Sequence, residues 1–260
     1  MKKIITMTAV FAFSVVLFSL NASADGPGHP QDKILRPGVH MLLVGPYGGL
    51  NINMHSGYFA VYEGDILCCE FDEGDGIGPV FGVKGFVPIA GEFYLTPRIA
   101  YESRDGEFDA MPIVLPIRGI DNQIEMATFE NTLDASLSAL AIDVLGAYVL
   151  VPSVGLYVAA GPSLSLLMSP EYTKTETITA PPNVDYQSGT NTQVLFEGDL
   201  ELTESIVFDL RFGLGAMIQV SDGIFVNPEV LYSLGLTNIS TENDWKANAI
   251  QPTIGVMFAL

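Results

Sequence analysis

The last eight residues of the chain, Thr253-Ile-Gly-Val-Met-Phe-Ala-Leu260, decide the fold. Apolar side chains alternate here with small or polar ones, and the alternation begins upstream at Ile250. Because successive side chains of a β-strand point to opposite faces, one face of this segment is apolar and the other is small or polar. The apolar face carries Ile250, Pro252, Ile254, Val256, Phe258 and Leu260, and the other carries Gln251, Thr253, Gly255, Met257 and Ala259.

The composition extends this pattern to the whole chain. Hydrophobic residues make up 48% of the sequence and charged residues only 16%. After the N-terminal segment, no stretch reaches the roughly 18 consecutive apolar residues that a membrane-spanning helix needs. A chain this apolar must therefore carry its hydrophobic side chains at a period of two, which is typical of membrane-spanning strands.

Seven more alternating segments precede the terminal strand. Short turns, such as Ser221-Asp-Gly223, alternate with long polar loops, as expected for an antiparallel up-and-down barrel with short periplasmic turns and long extracellular loops. We expect an all-β, eight-stranded transmembrane barrel in which the hairpin of the fifth and sixth strands projects beyond the membrane. The predicted strands are about 38–53, 76–90, 92–103, 127–151, 153–168, 197–220 and 224–237, with the terminal strand eighth.

Prolines inside these segments recur in one setting. Leu95-Thr-Pro97-Arg-Ile-Ala-Tyr101 and Val226-Asn-Pro228-Glu-Val-Leu-Tyr232 share it. Since proline cannot donate to a ladder, we expect a local bulge or a missing ladder bond at each proline.

These motifs, with Gly45-Pro-Tyr-Gly-Gly-Leu-Asn51 and the glycine-rich segment 76–85, resemble the porin-family outer-membrane beta-barrel domain. The resemblance implies a small eight-stranded barrel of the cell outer membrane, in a family whose members often have no known role. The terminal strand is similar to the signal that the barrel-assembly machinery recognises. The residues that carry this likeness are Thr253, Gly255, Phe258 and Leu260.

The N-terminal segment reads as an export signal. Lys2 and Lys3 precede an apolar run, and Ala22-Ser-Ala24 forms a small-x-small cleavage site. The run is short for the alternative, a transmembrane anchor. The predicted organisation is a signal peptide at 1–24, a periplasmic linker at 25–37 and an outer-membrane β-barrel domain at 38–260.

The net charge of −19 excludes a basic nucleic-acid surface. We expect contacts with outer-membrane lipid and lipopolysaccharide, and a monomer. The acidic segment 63–75 has abundant oxygen ligands, but its spacing does not match an EF-hand, and we expect a solvated extracellular loop. Within it, Cys68 and Cys69 are compatible with a strained vicinal disulfide, an intermolecular pair or two free thiols.

Charged residues on the polar faces form the candidate site. Placing the strands in register directs them into the lumen, where buried charges must pair. We expect a salt-bridge network that plugs the barrel; a gated ion path or a binding site is the alternative. The six residues are Lys84, Arg98, Asp143, Asp209, Arg211 and Glu229.

No catalytic, cofactor or metal site is predicted. The histidines His29, His40 and His55 show no recognisable arrangement with a nucleophile, and we interpret them as surface residues. Aromatic residues are interpreted as anchors at the membrane interface rather than as a ligand site. The anchors are Tyr101, Tyr148, Tyr232 and Trp245.

Three functional classes follow from this interpretation. The leading hypothesis is a structural or surface-interaction role through the extracellular loops. A narrow porin is the second and a lipid-modifying outer-membrane enzyme the third. A soluble lipocalin-type barrel is disfavoured, because it would direct apolar side chains inward and polar ones outward.

Overall fold

The computed structural model describes residues 41–63, 66–118, 123–182, 184–200, 203–242 and 244–260, without the side chains of 59–69 and 169. All of them belong to one compact unit, Ile34–Leu260. The predicted signal peptide and linker, His29 and His40 lie outside the described residues. In the part of the chain that is described, no helix is long and apolar enough to span a membrane.

The described residues form an all-β structure with twelve strands. The strands are β1 (Leu43–Glu63), β2 (Ile66–Ala90), β3 (Phe93–Ser103), β4 (Gly106–Asp109), β5 (Ile113–Arg118), β6 (Ile124–Val151), β7 (Leu156–Ala180), β8 (Thr192–Asp199), β9 (Ile206–Ala216), β10 (Ile218–Ser221), β11 (Ile224–Gly235) and β12 (Trp245–Ala259).

Eight of these strands close a ring, and every pairing in it is antiparallel. The order is β1, β2, β3, β6, β7, β9, β11 and β12, and β12 returns to pair with β1. The predicted eight-stranded barrel is therefore confirmed. The remaining strands prolong the wall: β4 pairs with β2 and β6, β5 with β6, β8 with β7, and β10 with β11.

The outer surface of the ring is apolar. Along β9, Phe208, Phe212 and Leu214 are exposed, whereas Asp209 and Arg211 on the alternate face are buried. The other strands of the ring likewise expose apolar side chains and bury polar ones. Together these exposed apolar side chains form what we call the apolar belt. Because a continuous apolar surface is unfavourable in water, the belt faces lipid and the polar face lines the lumen.

Several strands are much longer than the belt. Crossing a membrane takes about 9–11 residues of a tilted strand, but β1, β2, β6 and β7 contain 21, 25, 28 and 25 residues. On β6 the outward side chains change from apolar at Ile142 to polar at Ser136, Asp134 and Glu130. The parts of these strands beyond the belt, together with β4, β5 and β8, form what we call the extension.

Three predicted segments differ from the structure. The segment 63–75, predicted as a loop, lies mainly in β2, and Cys68 and Cys69 are within that strand. The predicted loop from 104 to 126 contains β4 and β5, and the predicted strand 197–220 is divided among β8, β9 and β10. The two loop predictions failed because β2 at Asp75 and β4 at Glu107 and Asp109 carry charged outward side chains, and β5 is apolar on both faces. None of these strands shows the alternation of apolar outward and polar inward side chains that marks the belt.

Of the two alternatives expected at the prolines, a local bulge or a missing ladder bond, the bulge is absent. Pro97 faces Val144 and Pro228 faces Ile254 in uninterrupted registers. The register likewise continues through Pro46, Pro79, Pro162 and Pro252. In a central strand each N–H points to only one neighbour, so a proline removes one bond while the other neighbour holds the register.

Candidate functional site

The lumen is divided into three layers along the strands. At the short-turn end lies an apolar floor, and at the opposite end an apolar roof, with buried charges between them. The floor comprises Leu43, Phe86, Tyr94, Leu145, Ala147, Val149, Tyr157, Ala159, Met217, Phe225, Leu231 and Met257. The roof comprises Phe71, Phe108, Ala110, Leu133, Ala135, Leu137, Val207, Ile239, Trp245 and Ala247.

Glu229 of β11 organises the part of the charged layer nearest the floor. Arg98 of β3 donates to both of its carboxylate oxygens, at 2.6 and 2.7 Å. Lys84 of β2 donates at 2.9 Å and the Tyr157 hydroxyl at 2.8 Å. The carboxylate thus accepts four hydrogen bonds from three strands across the barrel, and two of its partners are cations.

Tyr157 of β7 reaches Glu229 of β11 because the strand between them, β9, carries a glycine at this level. A Cβ added at Gly215, which pairs with Tyr157 across β7 and β9, would overlap the tyrosine hydroxyl oxygen. The hydroxyl also accepts a hydrogen bond from the Asn227 side chain at 2.9 Å. Gly215 therefore has a structural role, since it leaves room for the Tyr157 side chain to pass over β9 to Glu229.

Arg211 of β9 organises the next part of the charged layer. Its guanidinium donates to Asp143 of β6 at 2.8 Å and to Glu102 of β3 at 2.8 Å. Glu102 also accepts from Gln251 of β12 at 3.1 Å, and Gln251 donates to Asn51 of β1 at 2.9 Å. The network therefore extends from one side of the ring to the other.

Arg104 forms the third centre, below the roof. Its guanidinium pairs with Asp209 of β9, donates to the Ser165 hydroxyl at 2.8 Å and lies 3.4 Å from Glu102. Arg104 follows the end of β3, where its backbone N–H donates to the Leu137 carbonyl at 2.6 Å. Glu102 links the Arg104 and Arg211 centres by contacting both guanidinium groups.

The structure places all six residues of the predicted network in the lumen, buried and ion-paired. Sequence reasoning missed Glu102 and Arg104, which are equally buried. Glu102 could have been found, since it continues the inward series of Thr96, Arg98 and Ala100. Arg104 could not, because it lies past the predicted strand. The charged layer balances four cations against four carboxylates: Lys84, Arg98, Arg104 and Arg211 with Glu102, Asp143, Asp209 and Glu229.

Some buried polar atoms of the charged layer have no protein partner. They include the Nε atoms of Arg98, Arg104 and Arg211 and the Oδ1 atom of Asp143. Buried polar groups of this kind ordinarily bind water. The layer thus has no net charge, but it still contains donors and an acceptor that can bind water.

His55 packs against the roof residues Phe108 and Trp245 and is not a surface residue, which corrects the prediction. It is 3% exposed, its Nδ1 accepts from the Trp245 indole N–H at 3.1 Å, and its Nε2 lies 3.2 Å from the Asp105 carbonyl. Nε2 therefore carries the proton. Burial lowers the pKa of His55 from 6.5 to about 4. The position is beyond the belt, because the outward residues beside it, Ser56 and Lys246, are polar.

The predicted aromatic anchors separate into two groups. Trp245 is 5% exposed inside the roof, so its interpretation as an anchor was wrong. The three tyrosines lie on the outer surface, where each pairs with a phenylalanine of a neighbouring strand at 4.7–5.3 Å between ring centroids: Tyr101 with Phe81, Tyr148 with Phe93, and Tyr232 with Phe212.

The predicted assembly signal follows both faces of β12. Thr253 is buried towards the lumen, and Gly255 approaches Tyr47 and Lys84 so closely that an added Cβ would lie 3.2–3.3 Å from them. Phe258 and Leu260 are 43% and 79% exposed on the outside. Among the described residues, no group of three or more His, Cys, Asp or Glu side chains is placed to hold a metal ion.

The comparisons with known proteins agree with this architecture. Residues 25–241 match the family model described as outer membrane protein beta-barrel domain. β12, which closes the ring, follows the matched region. No curated protein matches the sequence.

Three of the similar solved structures match over most of their length. The attachment invasion locus protein Ail of Yersinia pestis has a TM-score of 0.33 at 9% identity, covering 83% of this chain and 98% of its own. The outer membrane protease OmpT of Escherichia coli has a TM-score of 0.40 at 8% identity, covering 85% of this chain and 97% of its own. Neisserial surface protein A has a TM-score of 0.33 at 7% identity, covering 84% of this chain and 97% of its own. These scores are low, so the family match and the strand pairing carry the conclusions.

Proposed function

Because this chain belongs to the outer membrane protein beta-barrel domain family and resides in the cell outer membrane, we propose that it is a non-enzymatic, non-conducting surface-interaction protein. In this role the barrel anchors the extension above the membrane, and the extension makes the contacts. The lumen holds the wall together and passes no solute.

The observation that carries the proposal is the neutral charged layer enclosed between the apolar floor and roof. An ion entering the lumen would have to cross an apolar layer and then displace a paired charge such as Arg211 or Glu229. Both steps are costly in a medium of low dielectric constant. An eight-stranded barrel also has an interior just wide enough for its own side chains.

The length of the extension supports the surface role. If β6 crosses the belt between about 140 and 151, its remaining residues down to Ile124 continue for roughly 50 Å at about 3.3 Å per residue. Such a length is unnecessary for anchoring. The hairpin of β7 and β8 and the hairpin of β1 and β2 extend in the same direction.

The state of His55 supports a non-enzymatic role. Its Nδ1 lone pair is used by Trp245 and its Nε2 proton faces a backbone carbonyl. A histidine with both ring nitrogens engaged by the scaffold has no free lone pair for a general base. It is also the one histidine that the described residues contain.

Conductance in a planar bilayer tests the closed lumen. We expect purified wild-type protein to produce no stable unitary currents. Stable currents that Asp209→Ala or Arg211→Ala removes would overturn the proposal, since they would place the charged layer on an ion path. Val194→Ala, on the outside of β8, is the matched control, because it leaves the lumen unchanged.

A narrow porin is the second candidate, and the unpartnered Nε atoms favour it. A file of water bound to Arg98, Arg104 and Arg211 would run along the charged layer. The same bilayer recording separates the two functions: unitary currents in wild-type protein support the porin, and their absence supports the closed barrel.

The surface role has its own test. Ala110 and Asn131 are hydrogen-bonded neighbours at 2.9 Å, so the hairpin between them can be replaced by a short Asn-Gly turn. We expect cells displaying the shortened protein to lose binding to host cells or envelope components while the barrel still assembles. Unchanged binding after each of the three long hairpins is shortened would contradict the surface role.

A further inference from the structure

The hairpin of β5 and β6 presents an apolar face far from the apolar belt. Pro116 pairs with Met126 and Arg118 with Ile124, so their side chains share the outward face of the hairpin with Val114. Val114, Met126 and Ile124 are 52%, 58% and 77% exposed. We call Val114, Pro116, Ile124 and Met126 the distal apolar face.

A polar band separates this face from the belt. Moving along the outside of β6 from the belt, the outward side chains are Ser138, Ser136, Asp134, Thr132, Glu130 and Thr128 before Met126 is reached. The distal apolar face therefore does not prolong the membrane-facing surface. An exposed apolar patch with a polar rim is typical of an interaction site.

Three carboxylates form a row that crosses the polar band at Asp134. Asp75 of β2 is the direct partner of Glu107 of β4, and Glu107 is the direct partner of Asp134 of β6. All three are exposed. Like charges directly opposite one another destabilise a sheet, so this carboxylate row favours a cationic ligand.

The carboxylate row and the distal apolar face together indicate which kind of ligand fits this surface. The described residues offer no cluster able to hold a metal ion, which disfavours a divalent cation. The net charge of −19 disfavours a second copy of the chain and an anionic lipid surface. Pro112 and Pro116 lack N–H groups, so β5 is a poor template for an added strand. A protein segment that is both basic and apolar matches both features.

We propose that the outside of the extension binds a partner protein through a segment with a basic end on the carboxylate row and an apolar end on the distal apolar face. Asp134 and Met126 are eight residues apart on β6, a span of about 27 Å. A segment of roughly eight extended residues covers this distance. This inference rests on the proposed surface role and specifies the chemistry of the partner.

A bipartite peptide tests the proposal. The probe carries three lysines at one end and three valines at the other, joined by a Gly-Ser spacer, and binding is measured against full-length protein in phosphatidylcholine nanodiscs, with empty nanodiscs subtracted. We expect saturable binding that weakens with salt. The double variant Ile124→Ser/Met126→Ser should lower the affinity about ten-fold through lost apolar burial.

The triple variant Asp75→Asn/Glu107→Gln/Asp134→Asn should weaken binding to a similar degree, about ten-fold at low salt, and remove most of the salt dependence. Matched controls on β8 are Val194→Ser, which changes an equally exposed apolar side chain, and Glu197→Gln, which removes an exposed charge. Neither control should alter binding. Peptides with only the lysine half or only the valine half should bind more weakly than the probe.

Three outcomes would overturn the proposal. The first is equal binding by wild-type protein and both test variants. The second is self-association of the protein that Ile124→Ser/Met126→Ser abolishes, which would assign the face to a second copy. The third is adhesion of the protein to phosphatidylcholine vesicles without peptide. If any of these occurs while shortened hairpins still abolish binding to cells, the surface role stands and only this assignment fails.

Discussion

At the scale of single residues, Glu229 shows how the lumen is held together. Its carboxylate is fully buried yet accepts hydrogen bonds from Lys84, Arg98 and Tyr157. The attraction between such charges offsets their desolvation only while every partner is present. The stability of the barrel therefore depends on the complete set of pairs rather than on any single bond.

Replacing Glu229 by alanine tests this dependence. The change leaves two buried cations, Lys84 and Arg98, without their carboxylate, and we expect the free energy of unfolding to fall by about 3–5 kcal/mol. Urea unfolding of the refolded protein in micelles measures it. Glu130→Ala, which removes an exposed carboxylate from β6, should change stability by less than about 0.5 kcal/mol. Equal effects of the two variants would contradict the structural role of Glu229.

His55 predicts a pH dependence of stability. Its pKa is lowered to about 4 in the folded protein from 6.5 in the unfolded chain, so between these values the unfolded state binds a proton that the folded state does not. The free energy of unfolding should therefore fall as the pH drops from 6.5 to 4, by about 3 kcal/mol in total.

Fluorescence of Trp245, the single tryptophan of the chain, reports this change from within the roof. His55→Gln keeps a side-chain acceptor for the indole but has no titrating group. Between pH 6.5 and 4, we expect the free energy of unfolding of the variant to fall by about 3 kcal/mol less than that of the wild-type protein. Parallel pH curves for the two proteins would refute the assignment.

At the scale of elements, β12 combines two roles. It closes the ring by pairing with β1 and β11. Phe258 on its outward face and Leu260, the residue after the strand, are both exposed. Neither side chain contributes to the charged layer. Their effect is therefore expected on assembly rather than on the lumen.

The double variant Phe258→Ala/Leu260→Ala should impair assembly and leave export intact. We expect less heat-modifiable protein in the outer membrane and more unfolded protein in the periplasm. Ile254→Ala changes another exposed apolar residue of the same strand and controls for the loss of apolar area. If the control variant assembles as poorly as the double variant, the terminal residues carry no special signal.

At the scale of the whole molecule, charge and length divide the protein into two parts. The charged layer is balanced, so the excess negative charge lies elsewhere, and exposed acids such as Glu107, Glu130 and Asp134 crowd the extension. The interior of the barrel thus has no net charge, whereas the extension presents a strongly acidic surface. This division explains why a closed lumen and an interacting exterior belong to one proposal.

The alternation of side chains made the barrel predictable, because lipid on one side and a packed lumen on the other impose opposite chemistry on neighbouring residues. Six of the eight residues in the charged layer followed from the same alternation. Arg104 did not, since it enters the lumen after β3 ends. The extension was missed as well, because its strands do not show the alternation of apolar outward and polar inward side chains that marks the membrane-spanning wall.

The sequence by itself determined the number of strands in the ring, the lipid-facing side and six of the eight charges that point inward, since each depends on a local period of two. Tertiary structure alone decided which charges pair, that Trp245 and His55 close the roof, and that Asp75, Glu107 and Asp134 form a row. These relations depend on the registers of strands that are distant in the chain. Cross-strand hydrogen bonding sets those registers, and no single segment records it.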